Sequence, residues 1–301
     1  MKTESYKGQV NLLLKILPEI AKESTLALHG GTAINLFIRD MPRLSVDADL
    51  TYLPIEDREI SMSGMSRALL NISANIKKIL PSAQIEHKAK DRKLLVNDNG
   101  SIVKIEISVM NRGTLATPQP KPLCVKAQML FDAFCEIAIV EIGQLYGGKI
   151  CAALDRQHPR DIFDIKYMLA TEGFTQEIKH GFMLLLLSSS RAINEILQPN
   201  LQDQRSALEN QFTGMTEETF SYEDYEYTRT ELIHTIQGSL TQYDKEFLLN
   251  FKNAEPDFSV YNFADFPAIK WKLYNLQKLK RGDPEKHLVL YNKLAALLES
   301  L

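Results

Sequence analysis

Two acidic residues one position apart, Asp47 and Asp49, stand in the stretch SVDADLTYL, and a third acid, Glu106, stands in VKIEISV. In both stretches polar and apolar residues alternate, the period of a strand with one polar face. Side chains two apart on a strand point the same way, so Asp47 and Asp49 share a face, while Glu106 joins Lys104 and Ser108 on the polar face of its own strand. If the two strands are neighbours, three carboxylates converge. Like charges so close repel unless cations neutralise them, and an all-oxygen ligand set suits octahedral Mg²⁺. Two such ions, one lowering the pKa of an attacking hydroxyl and one steadying the phosphates and a leaving pyrophosphate, would perform phosphoryl transfer. Gly30-Gly31-Thr32 supplies the remaining part. Glycines that open a helix let backbone N–H groups approach a triphosphate, and the helix dipole favours its charge. Thr32 or Ser45 would add a hydroxyl contact.

The elements that must position these residues follow from the periodicity. Residues 5–22 carry apolar positions at helical spacing, with Pro18 expected to kink or end the helix. A strand over 25–29 runs into Gly30-Gly31, a helix over 32–38 follows, and 45–53 is the acidic strand. A long helix over 56–80 closes a crossover. Strands are expected at 84–89, 93–97 and 101–109, the last two joined by an Asn99-Gly100 hairpin turn. Turn residues crowd 112–122 (RGTLATPQPKP), which reads as an extended loop leaving the sheet. Beyond it the pattern is almost wholly helical, at 142–156, 160–171, 176–197, 222–237, 242–251, 267–280 and 284–300, with Asp283-Pro284 as a helix start.

Composition narrows the class. The 301 residues, 45% hydrophobic and 24% charged, describe a globular chain. With 35 basic against 38 acidic residues the net charge is −3, which argues against a protein that coats nucleic acid without selectivity. Two basic clusters, Lys77 to Arg112 and Lys270 to Arg281, read as solvated faces, with a local phosphate or RNA patch as the alternative; Trp271 and Tyr274 either pack in the helices or stack on bases. Cys124, Cys135 and Cys151 form no Cys-x-x-Cys pair and read as reduced core residues. No two of the six histidines pair as metal ligands on a helix, and His29 is expected to line the site as a bystander. The apolar run from Phe182 to Leu187 is far too short to span a bilayer, and no signal-peptide stretch opens the chain, so no membrane association and a cytoplasmic location are expected.

The order of a Gly-Gly turn, an Asp-x-Asp strand and a later third acid resembles the polymerase-β-like nucleotidyltransferases. More closely, LHGGTAINLF, RLSVDADL and GGKICAALDRQHPRDIFDIKYML resemble the AbiEii family of nucleotidyltransferase toxins, whose Lys then Arg-Asp-x-x-Asp pattern is matched by Lys149, Arg160, Asp161 and Asp164. The 15 residues between Gly31 and Asp47 exceed the usual spacing of the wider superfamily and agree with AbiEii-like proteins. The resemblance implies an α+β polymerase-β-like core, a mixed sheet with flanking helices over 1–170, followed by an all-helical domain over 171–301. It also implies nucleotide transfer from an NTP to a tRNA acceptor end, which stops translation, a role in abortive infection and phage defence, and a cognate AbiEi-like antitoxin. Carried over by residue, Gly30, Gly31, Thr32 and Ser45 bind the triphosphate. Asp47, Asp49 and Glu106 hold Mg²⁺, and Lys149 neutralises the triphosphate. Asp161 either caps the following helix or contacts the nucleotide or an active-site lysine. Arg156 and Arg160 contact phosphate or RNA, or form surface salt bridges. Transfer to a protein or small molecule, and nucleotide binding without turnover, are the alternatives.

Overall fold

The computed structural model describes residues 2–301. The chain divides into two compact units, residues 1–145 with 205–221, and residues 146–204 with 222–301. The boundary expected at 170 therefore lies inside the second unit.

The first unit is built on a seven-stranded mixed sheet in the order β3-β4-β5-β2-β1-β7-β6. Helix α1 (Lys2–Ala21) precedes β1 (Leu26–His29). It continues past Pro18, because Val10, Leu13, Ile16, Leu17 and Ile20 are all fully or nearly fully buried and hold the last turn in place. Helix α2 (Gly30–Ala33) starts at the first glycine and runs on as a π-helical turn over Ile34–Ile38. Strand β2 (Asp47–Tyr52), helix α3 (Arg58–Ile79) and strands β3 (Gln84–Lys88), β4 (Lys93–Asp98) and β5 (Ser101–Arg112) follow in the expected order. Asn99 and Gly100 both have positive φ, 49° and 83°, as a tight hairpin of primed turn type requires.

One expectation is corrected at the far edge of the sheet. The segment read as a loop leaving the sheet contains β6 (Gln119–Pro122), which, after helix α4 (Val125–Phe131), pairs antiparallel with β7 (Glu136–Ile139). Pro120 and Pro122 lack N–H groups, a loss tolerated only on an edge strand, where β6 lies. Strand β7 in turn joins β1 in parallel, so the chain past Pro122 is not wholly helical.

Helix α5 (Ile142–Arg156) begins in the first unit and ends in the second. In the second unit α6 (Pro159–Ala170) and α7 (Gln176–Ser188) follow, and the helix expected over 176–197 is broken at Ser189, with α8 (Ile193–Leu197) as a separate piece. Every residue from Gly181 to Ser188 is buried, which marks α7 as the central helix of this unit. Gly147 of α5 permits its close approach: a Cβ there would lie 2.3 Å from the Gly181 carbonyl carbon. A short helix α9 (Arg205–Ala207) belongs to the first unit, where Met215 accepts a hydrogen bond from the Leu44 N–H at 2.6 Å. Helices α10 (Tyr222–Ser239), α11 (Gln242–Lys252), α12 (Pro267–Gly282) and α13 (Pro284–Ser300) complete the second unit. Asp283 caps α13 as expected, its carboxylate accepting from the Lys286 N–H at 3.0 Å.

Candidate active site

Strand pairing brings the acids together. Strand β5 lies parallel to β2 with Asp49 opposite Glu106 and Asp47 opposite Lys104. On the other side β1 runs antiparallel to β2 and sets His29 opposite Asp49. Immediately after His29 the chain turns through Gly30, whose φ of 72° lies in the left-handed region. A Cβ on Gly30 would come within 2.8 Å of Asp49 Oδ2, so the glycine corner abuts the carboxylate. Gly31 is similarly close to Arg43, where a Cβ would meet the guanidinium at 2.7 Å. Gly30 thus combines a left-handed backbone with close approach to an acid, whereas Gly31 faces the tip of the Arg43 side chain.

The two hydroxyls expected to touch triphosphate are placed otherwise. Thr32 and Ser45 are buried; Thr32 Oγ1 lies 2.9 Å from Ser45 Oγ and 2.5 Å from the Asp47 carbonyl oxygen. They tie the first turn of α2 to the start of β2 and so fix the spacing between glycine corner and acids.

Lysines occupy the space among the acids. Lys104 Nζ is 2.9 Å from Glu106 Oε2 and 3.8 Å from Asp49 Oδ1, and Lys93 Nζ is 3.1 Å from Glu106 Oε1. Burial alone would lower the Lys104 pKa, but the carboxylates of Asp49, Glu106 and Asp47 outweigh it and raise the ammonium above its ordinary value. Burial would raise Glu106, yet Lys104 and Lys93 hold its carboxyl below the usual range. Among the described residues no three His, Cys, Asp or Glu side chains stand ready as a preassembled metal cluster. All three expected acids thus stand in the field of lysines, Glu106 most closely, between Lys104 and Lys93. Asp47 and Asp49 share a face, and Asp49 keeps 46% of its side chain exposed, so the pair fits a divalent ion by donor chemistry and access. Glu106 joins them only by exchanging a lysine.

The second expected cluster lies in the other unit. Lys149 Nζ sits 3.0 Å from Asp161 Oδ1 and 2.9 Å from Asp164 Oδ2, with exposures of 6%, 1% and 1%. Arg156 adds a bidentate pair to Asp161, at 2.6 and 3.0 Å. Burial would raise the Asp161 carboxyl, but Lys149 and Arg156 hold it far below the carboxylate range. The cap of α6 is His158, whose Nδ1 accepts from the Arg160 N–H at 3.1 Å, so of the two roles open for Asp161 the lysine contact is the one present. Arg156 is engaged with Asp161, and the Arg160 guanidinium has no ion-pair partner among the described residues.

Sequence reasoning passed over Lys93 and Lys104 as site members, and Arg43 altogether. Lys104 was legible in principle, since it lies two residues from Glu106 on one strand face, whereas Lys93 comes from the neighbouring strand β4. Arg43 comes from a loop with no periodicity to place it.

This fold is shared with a solved nucleotidyltransferase toxin, MenT4 from Mycobacterium tuberculosis H37Rv, at a TM-score of 0.61 and 10% identity, over 88% of this chain and 91% of that one. A family model described as nucleotidyl transferase AbiEii toxin, type IV toxin–antitoxin system, matches residues 11–275, and the chain belongs to that family. It is thus a nucleotidyltransferase and a type IV toxin, for which an NTP substrate and an antitoxin partner follow. No curated protein matches the sequence. No helix among the described residues is long and apolar enough to cross a membrane.

Proposed function

We propose that this chain transfers a nucleotide from an NTP to the 3′ end of tRNA on the face formed by Asp47 and Asp49. The observation that carries this reading is the seat of Gly30 against Asp49, with Glu106 opposite Asp49 on the next strand: a left-handed glycine corner opening a helix abuts the acidic face. The backbone N–H groups opening α2 hold the triphosphate, and the Arg43 guanidinium beside Gly31 adds fixed positive charge. Asp47 and Asp49 would hold Mg²⁺, which when bound would supply charge neutralisation and activation of the attacking hydroxyl. The 3′-hydroxyl oxygen bonds to the α-phosphorus, the bond to the β-phosphate oxygen breaks, and pyrophosphate leaves while the hydroxyl proton departs by way of the acidic pair. Thr32 and Ser45 position the corner. Lys149 commits two of its three N–H groups to Asp161 and Asp164, which leaves one for a phosphate.

Loss of aminoacylatable tRNA would stop translation in the cytoplasm, giving growth arrest and phage defence, with an AbiEi-like repressor as antitoxin. Incubation with each labelled NTP and total RNA tests this directly. Label in tRNA-sized material that disappears in Asp49→Asn supports it. Label in protein or a small molecule instead would reassign the acceptor, and growth arrest that persists in Asp47→Ala would detach toxicity from this chemistry.

A further inference from the structure

The second unit contains a cavity of about 170 Å³, several times the volume of a water molecule, that no part of the nucleotidyl-transfer reading uses. It lies between the break after α7, helix α8, the end of α11, and α12 and α13. Phe251, Leu276 and Leu294 form apolar parts of its wall, while Ser190, Asn194, Lys252 and Lys272 bring polar groups to it.

Those polar groups are of one kind. Two lysines line the cavity and no acidic residue does. Lys272 donates to the carbonyls of Ser189 and Arg191, at 2.5 and 3.1 Å, which leaves one of its three N–H groups uncommitted. Lys252 Nζ has no hydrogen-bond or ion-pair partner among the described residues. Asn194 is 8% exposed, and its side-chain amide likewise has no partner among them. Neighbouring basic residues differ: Lys270 is paired with Asp265 and Lys280 with Glu255. Burial lowers the pKa of both Lys252 and Lys272, and Lys252 lowers that of Lys272 further, as expected of two ammoniums sharing one space without a counter-charge. Two half-buried cations and an idle amide around an open volume are incomplete without an anion.

We infer that this cavity is a binding site for a phosphate group, held by Lys252, Lys272 and Asn194. A tetrahedral oxyanion accepts from both ammoniums and from the amide N–H together, which a carboxylate with two oxygens does less completely. Two sources carry that group, a nucleic-acid backbone and a free phosphate. Trp271 and Tyr274, stacked at 5.8 Å and both more than half exposed, present an aromatic face for bases on α12, the helix that carries Lys272. The RNA arm is therefore expected to bind more tightly.

Calorimetric titration of the full chain with inorganic phosphate, and separately with a short single-stranded oligoribonucleotide, tests the inference. Saturable phosphate binding that weakens about tenfold in Lys252→Met and persists in Lys252→Arg is expected. Because Lys252 has no structural partner, Lys252→Met should keep the wild-type unfolding midpoint, and an unchanged midpoint is checked first. If the oligoribonucleotide displaces phosphate and its affinity falls with Trp271→Ala, the source is RNA; if phosphate binds and the oligonucleotide does not compete, it is a free anion. Absence of saturable phosphate heat, or equal affinity in wild type and Lys252→Met, overturns the proposal.

Discussion

Two clusters of opposite charges carry the residues that sequence alone singled out, and they differ in water. In the first unit Asp49, Glu106, Lys104 and Lys93 keep between 31% and 46% of their side chains exposed. In the second, Lys149, Asp161 and Asp164 keep no more than 6%. An exposed pair gains little net energy because water competes for each partner, so its cation exchanges at small cost. A buried pair resists exchange, because removing one partner strands a desolvated charge. The same residue types thus make a replaceable cation seat in one place and a polar keystone in the other.

Breaking the buried cluster should have the largest effect. Lys149→Met leaves Asp161 and Asp164 facing one another without the shared ammonium and should cost about 3–5 kcal/mol in urea unfolding. A loss under about 1 kcal/mol would mean that the cluster is as exchangeable as the exposed one. Gly30→Ala strikes the other side of the comparison. It places a methyl against Asp49 in a left-handed backbone and should reduce nucleotidyl transfer about 10²-fold by displacing the carboxylate, with backbone strain limited to about 1–2 kcal/mol. Full activity in that variant would remove the glycine corner from the chemistry.

Gly147→Ala separates packing from charge in the second unit. The added methyl meets the α7 backbone and forces α5 away from it, an overpacking cost of about 1–3 kcal/mol, offset by up to about 1 kcal/mol of helix propensity. Acid provides the mildest perturbation at working pH. Asp161 has a lowered folded-state pKa, so its contribution is complete above the unfolded value of about 3.9 and is lost as pH falls through the folded value. Unfolding midpoints followed by a helix signal should be flat in this contribution from pH 7 to 5 and decline below about pH 4. A decline already present between pH 7 and 6 would contradict the pairing.

How much of this was visible in sequence depends on whether the signal was local. Alternation in SVDADLTYL placed Asp47 and Asp49 on one strand face, and Asn99-Gly100 announced its hairpin, because period and turn chemistry are properties of adjacent residues. Strand β6 was hidden by Pro120 and Pro122, which read as breakers until the edge position that tolerates them is known. Strand β7 is four residues long, too short for periodicity to separate it from a helix. The register of Asp49 against Glu106 required only that two strands be neighbours, whereas the Lys93–Glu106 pair depends on a third strand beside them. The sequence has a second Gly-Gly, before Lys149, and there Gly147 serves a helix crossing. Identical dipeptides carried different physics because only the first turns through a positive φ beside an acid.

The contrast between the two clusters is tested most directly by counting bound Mn²⁺ by electron paramagnetic resonance, in the presence of a non-hydrolysable NTP analogue. The signal should persist in Asp161→Asn, provided that variant remains folded, and should be lost in Asp49→Asn. Undiminished Mn²⁺ in Asp49→Asn, together with loss in a folded Asp161→Asn, would contradict the assignment and move the metal to the buried cluster.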